Sequence, residues 1–163
     1  MTNKDITIII TTFNSEDNIE NCLNSINSSI KVIIIENSNN LKFKNYIESK
    51  FKNTECFLTN ESLGYGKANN LGLQKVKTNY SLILNPDTIL EKESINNFFV
   101  FIKKNIDFAI LGPRQKQNNV NIKINKSMNL NVIESDSIKG FAMFLNMKKF
   151  VEIGFFDENI FLY

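Results

Sequence analysis

Residues 6–40 read ITIIITTFNSEDNIENCLNSINSSIKVIIIENSNN, and this stretch decides the fold. Ile6 to Ile10 is a short β-branched run, the pattern of a strand covered on both faces. Ile19, Leu23, Ile26 and Ile30 then recur at helical spacing, with Asn14 or Ser15 standing where an N-cap belongs. Lys31 to Ile35 repeats the buried-strand pattern. A buried strand, a helix and a second buried strand make a βαβ unit, with parallel strands and a right-handed crossover.

The alternation runs on through most of the chain. A helix is predicted from Phe43 to Phe51 and a strand from Thr54 to Leu58. A loop bearing Gly64 and Gly66 leads into a helix through Lys75, and Tyr80 to Leu84 is another buried strand. Ile95, Phe98, Phe99 and Ile102 mark a helix preceded by Glu91 and Glu93, charges that suit its positive end. Asp107 to Leu111 reads as a strand closed by Gly112-Pro113. After Arg114 the rhythm breaks: Val120 to Ile124 alternates like a half-exposed strand, and the polar stretch from Asn125 to Asp136 is expected to be mobile. Ile138 to Leu145 is apolar again, and Lys148 to Ile153 reads as a short helix before Gly154. The fold class is therefore α/β: a single domain with a mostly parallel sheet flanked by helices.

Composition narrows the chemistry. The 163 residues suit one domain, and 42% apolar with 22% charged residues is a globular balance. A net charge of +2 gives no electrostatic footprint for nucleic acid. The chain contains no histidine, which excludes Ser-His-Asp and Cys-His catalysis, HExxH zinc sites and imidazole acid–base work. Cys22 and Cys56 are too few for a disulfide scaffold and read as inert apolar positions. No run reaches the ~18 apolar residues of a membrane span, and Met1 to Asp5 is polar rather than a signal peptide. The expected location is cytoplasmic, with at most peripheral contact at the inner face of the membrane.

In an open α/β sheet, ligands bind beyond the carboxyl ends of the strands. Three such ends collect polar groups: Thr11-Thr12-Phe13-Asn14, Glu36-Asn37-Ser38 and Asn85-Pro86-Asp87. Neither GxGxxG after the first strand nor GxxxxGK[ST] occurs, which disfavours a dinucleotide site and a P-loop. Phe13 offers a ring for a nucleobase, a stack worth about 1–3 kcal/mol. Glu36 suits hydrogen bonds from a pyrimidine or ribose, and Asp87 suits a divalent cation held against a diphosphate. Each has a plainer reading: Phe13 as a core ring, Glu36 and Asp87 as turn or cap residues, Gly64 and Gly66 as backbone geometry. A flavodoxin-like or receiver module is a competing α/β reading. Its acidic pocket would need carboxylates where Thr11 and Thr12 stand.

Five stretches, ITIIITTFNSEDNIENCLNSI, VIIIENSNN, SLGYGKANNLGL, YSLILNPDTIL and GFAMFLNMKKFVEIGFFDENIFLY, together carry a family resemblance. In this order, over essentially the whole chain, they resemble glycosyltransferase family 2, whose GT-A fold transfers sugars from nucleotide donors with inversion. The resemblance implies a nucleotide-binding set of Thr11, Phe13, Glu36, Ser62, Asn70 and Asn85, with Asp87 on the metal. Glu36 takes the place of the aspartate that usually meets the base, and Ser62 stands where the family has asparagine. Gly64 and Asn70 match the donor-proximal loop and helix start. Asn85-Pro86-Asp87 occupies the DxD position, with an amide in place of the first carboxylate, and NPDT looks like the rhamnosyltransferase-type branch that builds bacterial surface polysaccharides.

From this likeness follow a Mg²⁺ or Mn²⁺ cofactor, a UDP- or dTDP-linked sugar donor and a saccharide or lipid-linked saccharide acceptor. Residues 1–112 would form the donor-binding half and 113–163 an incomplete acceptor-side half. In the family an acidic pair follows GFFDENIFLY and supplies the base; here the chain stops at Tyr163, so the expected base lies beyond it. Asp157 and Glu158 belong to the preceding motif and are not that pair. This ending leaves a second reading, a truncated nucleotide-sugar-binding remnant without catalysis. It also predicts that Ile138 to Phe156 is left uncovered, an apolar surface that would drive formation of a homo-oligomer.

Overall fold

The computed structural model describes residues 1–104, 107–113 and 134–161. These residues form six strands, β1 (Ile6–Thr12), β2 (Lys31–Glu36), β3 (Thr54–Leu58), β4 (Tyr80–Leu84), β5 (Ile110–Leu111) and β6 (Ala142–Asn146), in one sheet ordered β3-β2-β1-β4-β6-β5. The helices are α1 (Glu16–Ser25), α2 (Leu41–Lys50), α3 (Tyr65–Leu73), α4 (Ser94–Ile102) and α5 (Met147–Ile153). β1 pairs in parallel with β2 and β4, and β2 with β3. β6 runs antiparallel to both β4 and β5.

Period-two alternation builds two cores from the central strand. Ile6, Ile8 and Ile10 of β1 face a cluster with Ile19 and Leu23 of α1, Phe43 and Ile47 of α2, and Phe99 of α4. Ile9, between them, points to the opposite cluster with Ala68 and Leu73 of α3 and Phe150 of α5. Both faces of β1 are thus sealed, and its unbroken β-branched run follows from that. α3 lies so close to the sheet that a Cβ on Gly72 would sit 2.6 Å from Cγ2 of Ile9.

The exposed edge at β3 is tied down by α2. The Cys56 N–H donates to Glu48 Oε1 at 2.8 Å, and the Cys56 carbonyl accepts from Lys44 Nζ. Free strand-edge groups of this kind invite pairing with another chain, and the Lys44–Glu48 pair occupies them.

Several sequence expectations change. α1 ends at Ser25 rather than continuing toward Ile30, because the Ser29 N–H and hydroxyl both turn to Asn27 Oδ1. Ile26 and Ile30 are buried from the connecting turn instead. The strand predicted over Asp107 to Leu111 shrinks to β5, since Phe108 leaves the sheet line for a ring cluster with Tyr80, Phe101 and Phe144. Most of the Ile138 to Phe156 run is covered: Ala142 to Leu145, Met147 and Phe150 are in the core. Only Val151, Ile153 and Phe155 remain exposed there, so the uncovered apolar surface is smaller than its composition predicts. The expected strand from Val120 to Ile124 lies outside the described residues, as does most of the Asn125 to Asp136 stretch. Among the described residues, no helix is long and apolar enough to cross a membrane.

Candidate functional site

The strand order creates a switch point. From β1 the chain moves through α1 to β2 and through α2 to β3, both helices packing on one face. α3 then carries it back across β1 to β4 along the opposite face. Connections that diverge from β1 and β4 open a crevice beyond their carboxyl ends, the usual ligand position in such sheets. Thr12 is paired with Glu36, and Ile9 with Ile83, which brings the loops after β1, β2 and β4 to the same edge.

Phe13 is 53% exposed, which removes the core-ring reading and leaves its face open. Its loop is fixed by Ser15, whose hydroxyl accepts from the Phe13 N–H at 3.3 Å and donates to the Phe13 carbonyl at 3.2 Å. Asn14 takes the left-handed conformation (φ 50°) that asparagine tolerates better than most residues. Thr11 donates its hydroxyl to Asn69 Oδ1 at 3.2 Å.

Glu36 is only 3% exposed. Thr12 Oγ1 donates to its Oε2 at 2.5 Å, and Ser38 Oγ donates to Oε1. Both carboxylate oxygens therefore already accept a hydroxyl, which offsets the cost of burying the group. The extra methylene relative to aspartate lets the carboxylate fold back onto Thr12 and Ser38 rather than stand out in the cleft.

Asn85 and Asp87 sit on the turn after β4. The Asn85 backbone is held by Phe141, whose carbonyl accepts its N–H at 2.9 Å, and by Thr88, whose N–H donates to its carbonyl at 3.1 Å. Asp87 is exposed, and its carboxylate makes no hydrogen bond or ion pair among the described residues. Beneath this turn lies Cys22, whose thiol is 3.7 Å from the Asn85 carbonyl. Burial, reinforced by the charge of Asp87, pushes the Cys22 thiol up to about 12. Burial likewise raises Cys56 to about 12, so both behave as inert apolar residues at neutral pH.

No group of three or more Cys, Asp or Glu side chains gathers as a metal cage among the described residues. Among the described residues of this turn, the donor set is the exposed Asp87 carboxylate, with Asn85 two positions before it. This suits a hard cation whose remaining positions are filled by phosphate oxygens and water, the habit of Mg²⁺ in nucleotide sites.

Ser62 is exposed in the loop before α3 and makes no hydrogen bond among the described residues. Asn70 departs from the expected geometry. It is buried, and both polar atoms of its amide are taken by residues 156 and 158 of the chain itself. Two structural asparagines were given no role by the sequence, although Asn37 lies within one of the polar strand ends. Asn37 Oδ1 accepts the Leu63 N–H at 2.8 Å, tying β2 to the loop carrying Ser62. Asn69 holds Thr11 and donates to the Tyr65 carbonyl at 2.9 Å. Their only signal was a buried-helix or strand-end asparagine, too common in this Asn-rich chain to stand out.

The architecture is that of a GT-A-type α/β domain, and comparison with known proteins agrees. The model of the family "Glycosyl transferase family 2" matches residues 7–160. The chain belongs to this family. A curated relative, the low-salt glycan biosynthesis hexosyltransferase Agl10 of Haloferax volcanii, is 24% identical over 98% of this chain and 58% of its own length. Among solved structures, S. aureus TarS 1–349 superposes with a TM-score of 0.69 at 19% identity, over 94% of this chain and 50% of that one. The mannosyltransferase PcManGT from Pyrobaculum calidifontis, in complex with GDP-Man and Mn²⁺, gives 0.74 at 12% identity, over 96% and 48%. The chain thus spans roughly half the length of the proteins it matches.

Proposed function

We propose that this chain is the donor-binding part of an inverting glycosyltransferase that passes a sugar from a nucleoside diphosphate to a saccharide acceptor. The observation that carries the reading is the pairing, at one sheet edge, of an exposed ring on Phe13 with an uncommitted carboxylate on Asp87. Phe13 would stack on the base, with Thr11, Glu36 and Ser62 lining the nucleoside side of the cleft. Because Glu36 is drawn back onto Thr12 and Ser38, its effect on the base runs through its remaining lone pairs and the Ser38 hydroxyl. Asp87 and the Asn85 amide would hold Mg²⁺ or Mn²⁺. A cation there supplies Lewis-acid stabilisation of the departing diphosphate. The acceptor hydroxyl would attack in line from the far side of the anomeric carbon, and we assign no general base within the described residues.

Solved TarS complexes with UDP and with UDP-GlcNAc, and the PcManGT complex with GDP-Man and Mn²⁺, support a nucleotide-sugar donor and a metal. For this chain we propose a UDP- or dTDP-linked donor, a saccharide or lipid-linked saccharide acceptor and a place in surface-glycan synthesis. Calorimetric titration of UDP and of dTDP with Mn²⁺ tests the reading. Asp87→Ala should abolish the Mn²⁺-dependent part of binding, with the fold unchanged by circular dichroism because the side chain is exposed. Phe13→Ala should weaken nucleotide binding by about 1–3 kcal/mol whether or not metal is present. Equal affinity in wild type and Asp87→Ala removes the metal role.

A further inference from the structure

Asparagine is a poor choice for the middle of a helix, and a buried amide is costly unless every polar atom finds a partner. Asn70 stands in the middle of α3 with 2% exposure, so its partners explain its presence. Its Nδ2 donates to the Phe156 carbonyl at 2.9 Å and to Glu158 Oε1 at 3.0 Å. The Phe156 N–H donates back to Oδ1 at 3.0 Å. One side chain thereby occupies both backbone groups of Phe156, as the peptide of a neighbouring strand would.

A second contact fixes the same stretch at the start of the helix. Gly64 has φ 77°, and a Cβ there would lie 2.6 Å from the Phe161 carbonyl oxygen. That carbonyl accepts the Tyr65 N–H at 3.4 Å. Between these points residues 154–161 form no helix or strand; the Asn159 N–H and side-chain amide donate to Asp157 Oδ1 and the Ile160 N–H donates to the Asp157 carbonyl, forming a turn. The path of this stretch is set from outside, by α3 through hydrogen bonds and by Phe150 of α5, whose ring packs against Phe155 and Phe156. The neighbouring residue of the same helix, Asn69, braces Thr11 at the end of β1. Adjacent asparagines therefore join the crevice to the 154–161 stretch across a single turn of helix.

We propose that Asn70 is a positioning residue: rather than touching the donor, it fixes residues 154–161 in register with the helix that braces Thr11. The consequence for the cleft rests on the donor-binding reading above; the placement of the stretch does not.

The test uses the full 163-residue chain, hydrogen exchange of the peptide spanning residues 154–161, and UDP with Mn²⁺ as the binding probe. Asn70→Asp keeps the acceptor for Phe156 but loses both donated bonds and sets a carboxylate against Glu158. We expect at least tenfold faster exchange at the Phe156 amide with the UDP Kd within threefold of wild type. Adding Glu158→Gln should recover at least half of the lost protection, because the new amide donates to the new carboxylate. The same change in an Asn70→Ala background should recover none. Unchanged exchange in Asn70→Asp, or recovery that is equal in both backgrounds, overturns the proposal. A tenfold loss of UDP affinity also overturns it, by making Asn70 a donor ligand. If the Asn70 variants fail to fold, Glu158→Ala on an exposed side chain decides: severalfold faster exchange at Phe156 supports the coupling and no change refutes it. Wild type that fails to bind UDP defeats the proposed function, and the exchange arms still judge Asn70.

Discussion

In residues 6–84, strands β2 to β4 are each delivered by the helix immediately before them, and β1–β2, β1–β4 and β2–β3 are all parallel pairs. After residue 107 the chain behaves otherwise. β6 enters between β4 and β5 against the prevailing direction, α5 is short, and residues 154–161 have no regular structure of their own. The first region is held by local crossovers that each bury an apolar face. The second is held partly by what precedes it, the open side of β4 with Tyr80, Phe98 of α4, Gly64 and Asn70, and partly by its own rings Phe144 and Phe150. Of the residues proposed for donor chemistry, Thr11, Phe13, Glu36 and Ser62 sit in the first region and Asn85 and Asp87 on the turn that follows it, while the second region takes part of its position from Asn70 of the first.

The largest expected effect comes from cutting the second region loose. Phe144 is fully buried in β6, with ring centroids 4.5 Å from Phe98 and 5.5 Å from Tyr80. Phe144→Ala should cost about 3–5 kcal/mol in urea denaturation. Hydrogen exchange should rise first over residues 142–161, while β1 and β2 keep their protection. Simultaneous loss across all six strands would show that the two regions unfold as one and would break the comparison.

A smaller effect sharpens it. Gly64→Ala places a Cβ against the Phe161 carbonyl at a positive φ, at a cost of about 1–3 kcal/mol. The expected result is faster exchange at residues 159–161 with β1–β4 unaffected. A loss of β4 protection would instead make the contact part of the sheet's own support.

The smallest effect, nil at neutral pH, reads the solidity of the first region through its two thiols. Cys22 and Cys56 are raised to about 12 chiefly by burial, whereas an unfolded thiol titrates near about 8.5. The folded chain then holds more protons than the unfolded one at alkaline pH, so stability is full below pH ~8.5 and falls as pH climbs toward ~12. Urea midpoints at neutral and alkaline pH should show this decline, and it should be shallower with both cysteines changed to alanine. Ellman's reagent should label neither thiol in the native chain at pH 8 and both in urea. Labelling of the native chain would mean that α1 or β3 opens readily.

Much of the first region was legible in the amino-acid order. Thr54–Leu58 and Tyr80–Leu84 fall where the apolar runs placed them, and β1 and β2 extend the predicted runs by only one or two residues. The polar clusters after β1, β2 and β4 marked the crevice, because ligand loops in such sheets follow the carboxyl ends. The exposure of Phe13 and of Asp87 was not legible. A phenylalanine or an aspartate beside a strand end has the same local pattern whether it faces the core, a turn or a cleft.

What the sequence alone determined, then, is where strands and helices form and which strand ends carry polar groups, since both are set by residue period and local backbone preference. Only the tertiary structure decided that β6 runs antiparallel, because a strand buried on both faces reads identically in either direction. It also decided that the Glu36 carboxylate folds onto Thr12 and Ser38, and that the Asn70 amide reaches across 86 residues to Phe156. The physical reason is common to these cases: a buried polar group must be satisfied, but which partner satisfies it is fixed by the packing of elements distant in the chain.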